Sequence, residues 1–422
     1  MTSETVSNTL KADILVTGAG AAGLSAAIAL AKSGFSVICA GKIDTKVNGR
    51  TVALFDGSLR FYKALGLWDR FAPLAAPLRR IRMVDDTGSI FRGPDLNFAS
   101  DEIDLDCFGE NVTNNDLVAG LAEIAQTLPN LTLIDAFFTS VEIDEQTGRA
   151  VLEDGRVLEA TLIVAADGRR SLARDAAHIG VDKWSYPQMA MTVLLAHDEP
   201  HDDTSTEFHT RSGPCTLVPL AGTPEHPHRS SLVWLMSHRE AERRMALPAD
   251  VLEMEIETQV RSLLGKMKLD GPLGCFPMAG MKARKYAGDR FALIGETAHV
   301  FPPIGAQGLN LSLRDIASLV DALEESRSLG EDIGGAMAMR RYDDSRRADI
   351  SFRTRSVDIL NRSLLADFVP VDFLRTAGII AFTLIGPLRR AIMREGVLPH
   401  GNLPRLMRLP QKSNAERRRS SL

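Results

Sequence analysis

The chain changes its hydrophobic period several times, and each change marks an element. Residues 13–18, DILVTG, form a short apolar run closed by glycine, which predicts a buried strand. Residues 21–34, AAGLSAAIALAKSG, are small and apolar at helical spacing and end on Gly34, a residue suited to the position just past a helix. FSVICA (35–40) predicts a second strand. Strand, glycine turn, helix and strand in that order make a βαβ unit, because parallel strands need a crossover. Residues 111–128 predict a helix. LTLID (131–135), SVEID (140–144) and the run 149–168 predict strands, with turns at Thr147-Gly148 and Asp154-Gly155.

From about Val181 to Met278 the pattern is different. MAMTVLLAH, TEFHT, CTLVPLAG and SSLVWLMS are β-like runs, and a helix follows near 239–266. After Ala283 the nucleotide-like pattern returns, and from about Asp315 helix dominates. The expected class is α/β: a Rossmann-like βαβ nucleotide domain interleaved with a β-rich domain, followed by a helical C-terminal region. The expected boundaries are 1–77, 105–180 and 283–335 for the first, 78–104 and 181–282 for the second, and 336–422 for the third.

Composition narrows the class. The 422 residues are 45% hydrophobic and 24% charged, enough for a large core and two domains. A net charge of -5 argues against a general nucleic-acid binder. Cys39, Cys107, Cys215 and Cys275 stand far apart with no CxxC, so reduced thiols are expected rather than disulfides or a metal site. The polar start MTSETVSNTLKAD does not read as a signal peptide. A cytoplasmic protein is expected, with peripheral contact on the inner face of the membrane left open. That alternative rests on the apolar stretch 368–393, too short at its centre to span, with Arg375 before its centre and Arg389, Arg390 and Arg394 after. A core helix is the competing reading of the same stretch.

GAGAAG (18–23) fits GxGxxG between a strand and a helix. Gly18 allows the tight turn, Gly20 lets backbone approach a pyrophosphate, and Gly23 lets the helix sit close to the strand. The phosphates meet the N–H groups and positive dipole end of the helix, beside Ala22. The acid expected at the end of the second strand is missing: Gly41 stands there, followed by Lys42, with Asp44 beyond. This is compatible with an NADP 2′-phosphate site or with FAD lacking one ribose contact.

Two later segments join the fingerprint. LIVAADGRRSLAR (162–174) runs a buried strand into Asp167-Gly168, and LIGETAHVFPPIGAQGLNLSLRD (293–315) runs another into Gly295-Glu296, His299, prolines and glycines. Together with GRTVAL (49–54) and FGENVTNNDL (108–117), the set resembles the class A FAD-dependent aromatic hydroxylases, and within them the ubiquinone-biosynthesis (2-polyprenylphenol) hydroxylases. The resemblance spans about Asp13 to Gly396.

The resemblance implies FAD as cofactor and NAD(P)H as a transiently bound electron donor. It implies O2 and an aromatic ring as substrates, the ring a prenylated phenol, and a place in a biosynthetic complex. Implied cofactor contacts are Gly18, Gly20, Ala22, Gly23, Arg50, Asp167, Gly168, Gly295, Glu296, Pro303, Gly305, Gly308, Leu309 and Asn310. Glycines at 305 and 308 would let backbone lie against a flat ring, and prolines would stiffen the loop. No catalytic side chain is assigned. His299 is the one candidate, and such a histidine is usually structural in the resembling proteins. The chain departs from them at Glu296, where they carry aspartate, and at Gly41. A flavin oxidoreductase on another substrate (a soluble aromatic hydroxylase or a prenyl reductase) and a non-catalytic partner in a biosynthetic assembly remain alternatives.

Overall fold

In the computed structural model, which describes residues 9–88, 94–302, 306–365, 386–397 and 403–409, the chain forms two large sheets and one small one. The first large sheet is built on five parallel strands. In spatial order they are Leu131–Ile134, Val37–Ala40, Thr9–Thr17, Val157–Ala165 and Phe291–Leu293. Their central residues, among them Ile14, Leu15, Val16, Cys39, Ile163 and Leu293, are wholly or almost wholly buried. Both faces are covered, which is why these strands read as continuous apolar runs rather than as alternation.

The helix Ala21–Lys32 is buried from Gly23 through Ala31. Its small residues let it be covered on all sides, as its even apolarity requires. It packs between the sheet and the long helix Gln307–Ser328.

The second large sheet takes its strands mainly from two stretches, Arg80–Ala99 and Val181–Ala283, with His299–Val300 at one edge. Its central strands Val181–His197, Arg229–Ser237 and Gly213–Leu220 are antiparallel. On one face Met191, Val193, Leu232, Trp234 and Met236 pack with Leu252 and Ile256 of a covering helix. The small sheet, Thr51–Phe55, Gly109–Thr113 and Ala76–Leu78, sits on the other face, where Thr51 Oγ1 lies 2.8 Å from Ser231 Oγ.

Two elements differ from the sequence reading. The helix expected from 111 begins at Asn114. Residues through Thr113 belong to a strand, and the Thr113 hydroxyl caps the helix by accepting from the Asp116 N–H. The single helix expected near 239–266 is two, His238–Met245 and Ala249–Gln259. Pro248 stands at the break, because it has no N–H to continue the first helix and suits the start of the second. The stretch 368–385, Pro303 and Gly305 lie outside the described residues.

Candidate functional site

The fingerprint turn is a steric device. Gly18 has φ 108°, and a Cβ there would lie 2.4 Å from the Ala166 carbonyl oxygen. A Cβ on Gly23 would lie 1.9 Å from the Gly18 carbonyl oxygen. Gly20 is the reverse case: among the described residues no atom comes within 4 Å of its built Cβ. The backbone is therefore bare on one side and packed on the other. The helix that follows has no side-chain cap among the described residues and no acid in its first turn, so its N-terminal donors and dipole face that bare side beside Ala22.

Gly41 sits against this turn. A Cβ there would meet the Ala19 nitrogen at 2.5 Å and the Gly18 Cα at 2.7 Å. The missing acid is thus a packing consequence, since no side chain fits at 41 without moving the fingerprint backbone. Lys42 next to it is ion-paired to Glu153 at 3.2 Å and lies 5.2 Å from the Phe137 ring centroid.

Asp167 lies two residues beyond the end of the strand Val157–Ala165, with its carboxylate turned to the following loop. Its carboxylate accepts from Ser171 Oγ at 2.6 Å and from the Ala173 N–H at 3.3 Å. Burial pushes its carboxyl above the usual range, against the pull of these hydrogen bonds. Gly168 has φ 81° and its N–H donates to Thr297 Oγ1 at 3.3 Å. Arg174, almost fully buried, reaches across to the Thr297 carbonyl at 3.1 Å. The Asp-Gly loop and the Gly-Glu turn are therefore stitched together.

The Gly295 turn has φ 59° at its glycine, and a Cβ there would lie 3.0 Å from Ser312 Oγ and 3.4 Å from Ala22 Cβ. This brings the turn against the first turn of the fingerprint helix. Asp315, wholly buried, holds it: one carboxylate oxygen accepts from the Gly295 N–H at 3.0 Å and lies 2.7 Å from His299 Nε2. The other accepts from Arg346 Nε at 2.8 Å. Burial alone would raise the Asp315 carboxyl, but His299 and Arg346 outweigh it and hold it below the usual carboxylate range. His299 is 2% exposed, a position for holding backbone rather than for meeting substrate. Glu296 points outward and pairs with Arg169, two nitrogens to two oxygens at 3.2 Å each.

The helix Gln307–Ser328 starts from Ala306 in the left-handed region (φ 50°), again without a side-chain cap among the described residues or an acid in its first turn. Among the described residues no atom comes within 4 Å of a Cβ built on Gly308. Leu309 packs into the main core. Asn310 uses its whole amide on the chain: Nδ2 donates to the carbonyls of Ala53 and Ala306, and Oδ1 accepts from Phe55 N–H and Ser58 Oγ. It is a strut between helix and small sheet. Arg50 is exposed, with its guanidinium 5.2 Å from the Phe276 ring centroid on the second large sheet.

Sequence reasoning missed Asp315, Arg346, Thr297 and Arg174 as site-building residues. A signal existed for Asp315. An acid inside the buried stripe Leu311, Leu313, Ile316, Leu319 must be paired, although nothing local names Arg346 as its partner.

Among the described residues, the helix Ala21–Lys32 opens without acid or side-chain cap from a tight glycine turn over a parallel sheet, an arrangement whose donors suit an anion such as a diphosphate. A family described as FAD binding domain matches residues 11–348, and the chain belongs to it, as an FAD-dependent monooxygenase of the class A flavin hydroxylases. Among curated proteins, the chain is 33% identical over 407 residues to the Rhodospirillum rubrum ubiquinone hydroxylase UbiL, covering 94% of this chain and 92% of that one. It is 28% identical over 395 residues to the Escherichia coli 3-demethoxyubiquinol 3-hydroxylase, covering 90% and 97%. Among solved structures, the p-nitrophenol 4-monooxygenase PnpA of Pseudomonas putida superposes with a TM-score of 0.77 at 18% identity, covering 93% of this chain and 99% of that one, a likeness of fold.

Proposed function

We propose that this monooxygenase hydroxylates the ring of a prenylated phenol in ubiquinone biosynthesis, using NAD(P)H as electron donor. The observation that carries the substrate class is the full-length similarity to the ubiquinone hydroxylase UbiL. Bound FAD would supply the redox and oxygen chemistry of the overall reaction, in which NAD(P)H is oxidised to NAD(P)+, one oxygen atom of O2 enters the ring as a hydroxyl group and the other leaves as water.

The chain's own part is binding, orientation and exclusion of water. Gly18, Gly20 and Gly23 shape the backbone for the diphosphate, and the helix N-terminus at Ala21 and Ala22 favours its charge. The N-terminus at Ala306, with Gly308 and Leu309 behind it, favours negative charge on the flavin ring. The resemblance adds Pro303 and Gly305 to the cofactor contacts. Asp315, His299 and Arg346 hold the Gly295 turn, and Asp167 holds the neighbouring loop. The second large sheet, chiefly 78–104 and 181–282, forms the substrate side, with Arg50 and Phe276 at the junction.

A prenyl tail implies access from a bilayer, which supports peripheral membrane contact and place in a biosynthetic complex. Among the described residues no helix is long and apolar enough to cross a membrane. Arg389 is committed to Glu102 at 2.7 Å and Arg394 to Asp104 at 3.0 Å, so headgroup contact falls to other residues, Arg390 among them.

The test is NAD(P)H oxidation by the purified flavoprotein with phenols of short and long prenyl tail. A product heavier by one oxygen atom, with preference for the long tail, is expected. Equal turnover of a short soluble phenol and no liposome binding would shift the reading to a soluble aromatic hydroxylase.

A further inference from the structure

One turn of 3-10 helix late in the chain, Arg405–Met407, lies against two helices that build the site. They are Asp56–Ala64 and the long helix Gln307–Ser328. Leu403, Leu406 and Met407 pack into the main core, and Met407 is 1% exposed. Two polar ties fix the segment to the long helix. The Arg405 N–H donates to Asp321 Oδ2 at 2.9 Å, and the Arg405 guanidinium pairs with Glu324. The segment also closes on itself, since Arg408 Nε donates to the Leu403 carbonyl at 2.7 Å.

Met407 meets the long helix at its first turns. With Phe55, Ser58, Gln307, Asn310 and Leu311 it lines one small cavity. Those neighbours include Asn310 and two of the residues that donate to its side-chain oxygen, Phe55 and Ser58. The helix starts at a left-handed Ala306 without a side-chain cap among the described residues, and Asn310 Nδ2 donates back to the Ala306 carbonyl. The direction of the N-terminal donors therefore depends on the Asn310 strut. A strut of neutral hydrogen bonds holds best where water does not compete for its donors and acceptors. Met407 brings an apolar side chain to that spot.

We infer that residues 403–409 form a clasp on the long helix, and that Met407 is a flavin-positioning residue acting through Asn310 on the helix N-terminus. The inference rests on the flavin reading above. Clasp closure and FAD binding are then coupled, and such coupling is reciprocal. The factor by which a loosened clasp weakens FAD binding is the factor by which bound FAD favours the closed clasp.

The test reads both directions. In the wild-type protein, FAD added to the apoprotein should slow amide hydrogen exchange of the stretch 403–409 about tenfold, a usual size for coupling between sites. That measurement decides the matter even where a variant does not fold. In the other direction, FAD affinity is read by quenching of flavin fluorescence. Met407→Ala should weaken it about tenfold. Met407→Leu conserves volume and should stay within about twofold of wild type. Leu252→Ala is the control for destabilisation alone, because Leu252 is wholly buried in the separate core of the second large sheet. It should melt earlier than wild type yet bind FAD equally well. Exchange of 403–409 that ignores FAD overturns the inference. So does wild-type affinity in Met407→Ala, or an equal loss of affinity in Leu252→Ala. Each of these leaves the flavin reading intact. A wild-type apoprotein that takes up no FAD overturns both.

Discussion

The fingerprint turn and the Gly295 turn lie side by side, and they are made by opposite means. The first is made by absence of side chains: Gly18, Gly23 and Gly41 are packed so that a Cβ at any of them would stand within 2.4–2.5 Å or less of backbone. The second is made by presence of charge: wholly buried Asp315 gathers the Gly295 N–H, His299 and Arg346. Steric exclusion acts between residues near in sequence or in adjacent strands. Charge gathering works across elements far apart in the chain. The two therefore fail differently when altered.

Asp315→Ala should have the largest effect. It leaves buried His299 Nε2 without its acceptor and buried Arg346 with Asp349 alone, which costs about 3–5 kcal/mol. Thermal or denaturant unfolding of the apoprotein measures it, and a loss under 1 kcal/mol would reduce the cluster to bystanders. The pH dependence has a definite sign. The Asp315 carboxyl is held below its ordinary range, so its stabilisation is present above that range and is lost as pH falls through the folded value, below about pH 4. The variant should lack that contribution to acid sensitivity.

Gly23→Ala comes next. Its methyl would be driven into the Gly18 carbonyl, so stability should drop by about 1–3 kcal/mol and flavin should be lost with it. Gly20→Val separates the two functions of the same turn. Among the described residues nothing stands within 4 Å of its Cβ, so the apoprotein should melt like wild type within about 0.5 kcal/mol yet purify colourless. Normal flavin content in folded Gly20→Val would break the placement of the diphosphate.

Gly41→Asp restores the acid seen in the fingerprint of other dinucleotide sites, and here it should do harm. The Cβ meets Ala19 and Gly18 backbone, so a loss of about 1–3 kcal/mol and weaker FAD binding are expected. Tighter FAD binding would show that the turn yields. The smallest effect belongs to Asp167→Asn. Burial raises the Asp167 carboxyl, so ionising it weakens the fold as pH rises from its unfolded value through its folded one. A neutral amide should leave stability at pH 7 within about 1 kcal/mol of wild type or slightly above it. An unchanged Michaelis constant for NAD(P)H would then make Asp167 a former of the loop alone.

The residues by themselves determined a good deal. The βαβ unit, the Asp-Gly loop and the Gly-Glu segment were legible because strand period, glycine spacing and breaker residues are local properties of the chain. The flavin class followed from their order and from resemblance. Small errors were local too, as at Pro248, which divides an apparently continuous helix. The tertiary structure decided what the motifs were for. The side-chain amide of Asn310 bonds to Ala53, Phe55, Ser58 and Ala306, a tie between helix and small sheet that no local pattern announces. Gly41, read as a missing acid, is a position where no side chain fits. Asp315 meets Arg346, and Glu296 meets Arg169, across 31 and 127 positions of sequence. Sequence period reports which face of an element is buried, because that depends on the residue's own neighbours. Which charges meet inside that burial depends on how separate elements are stacked, and no local pattern carries that information.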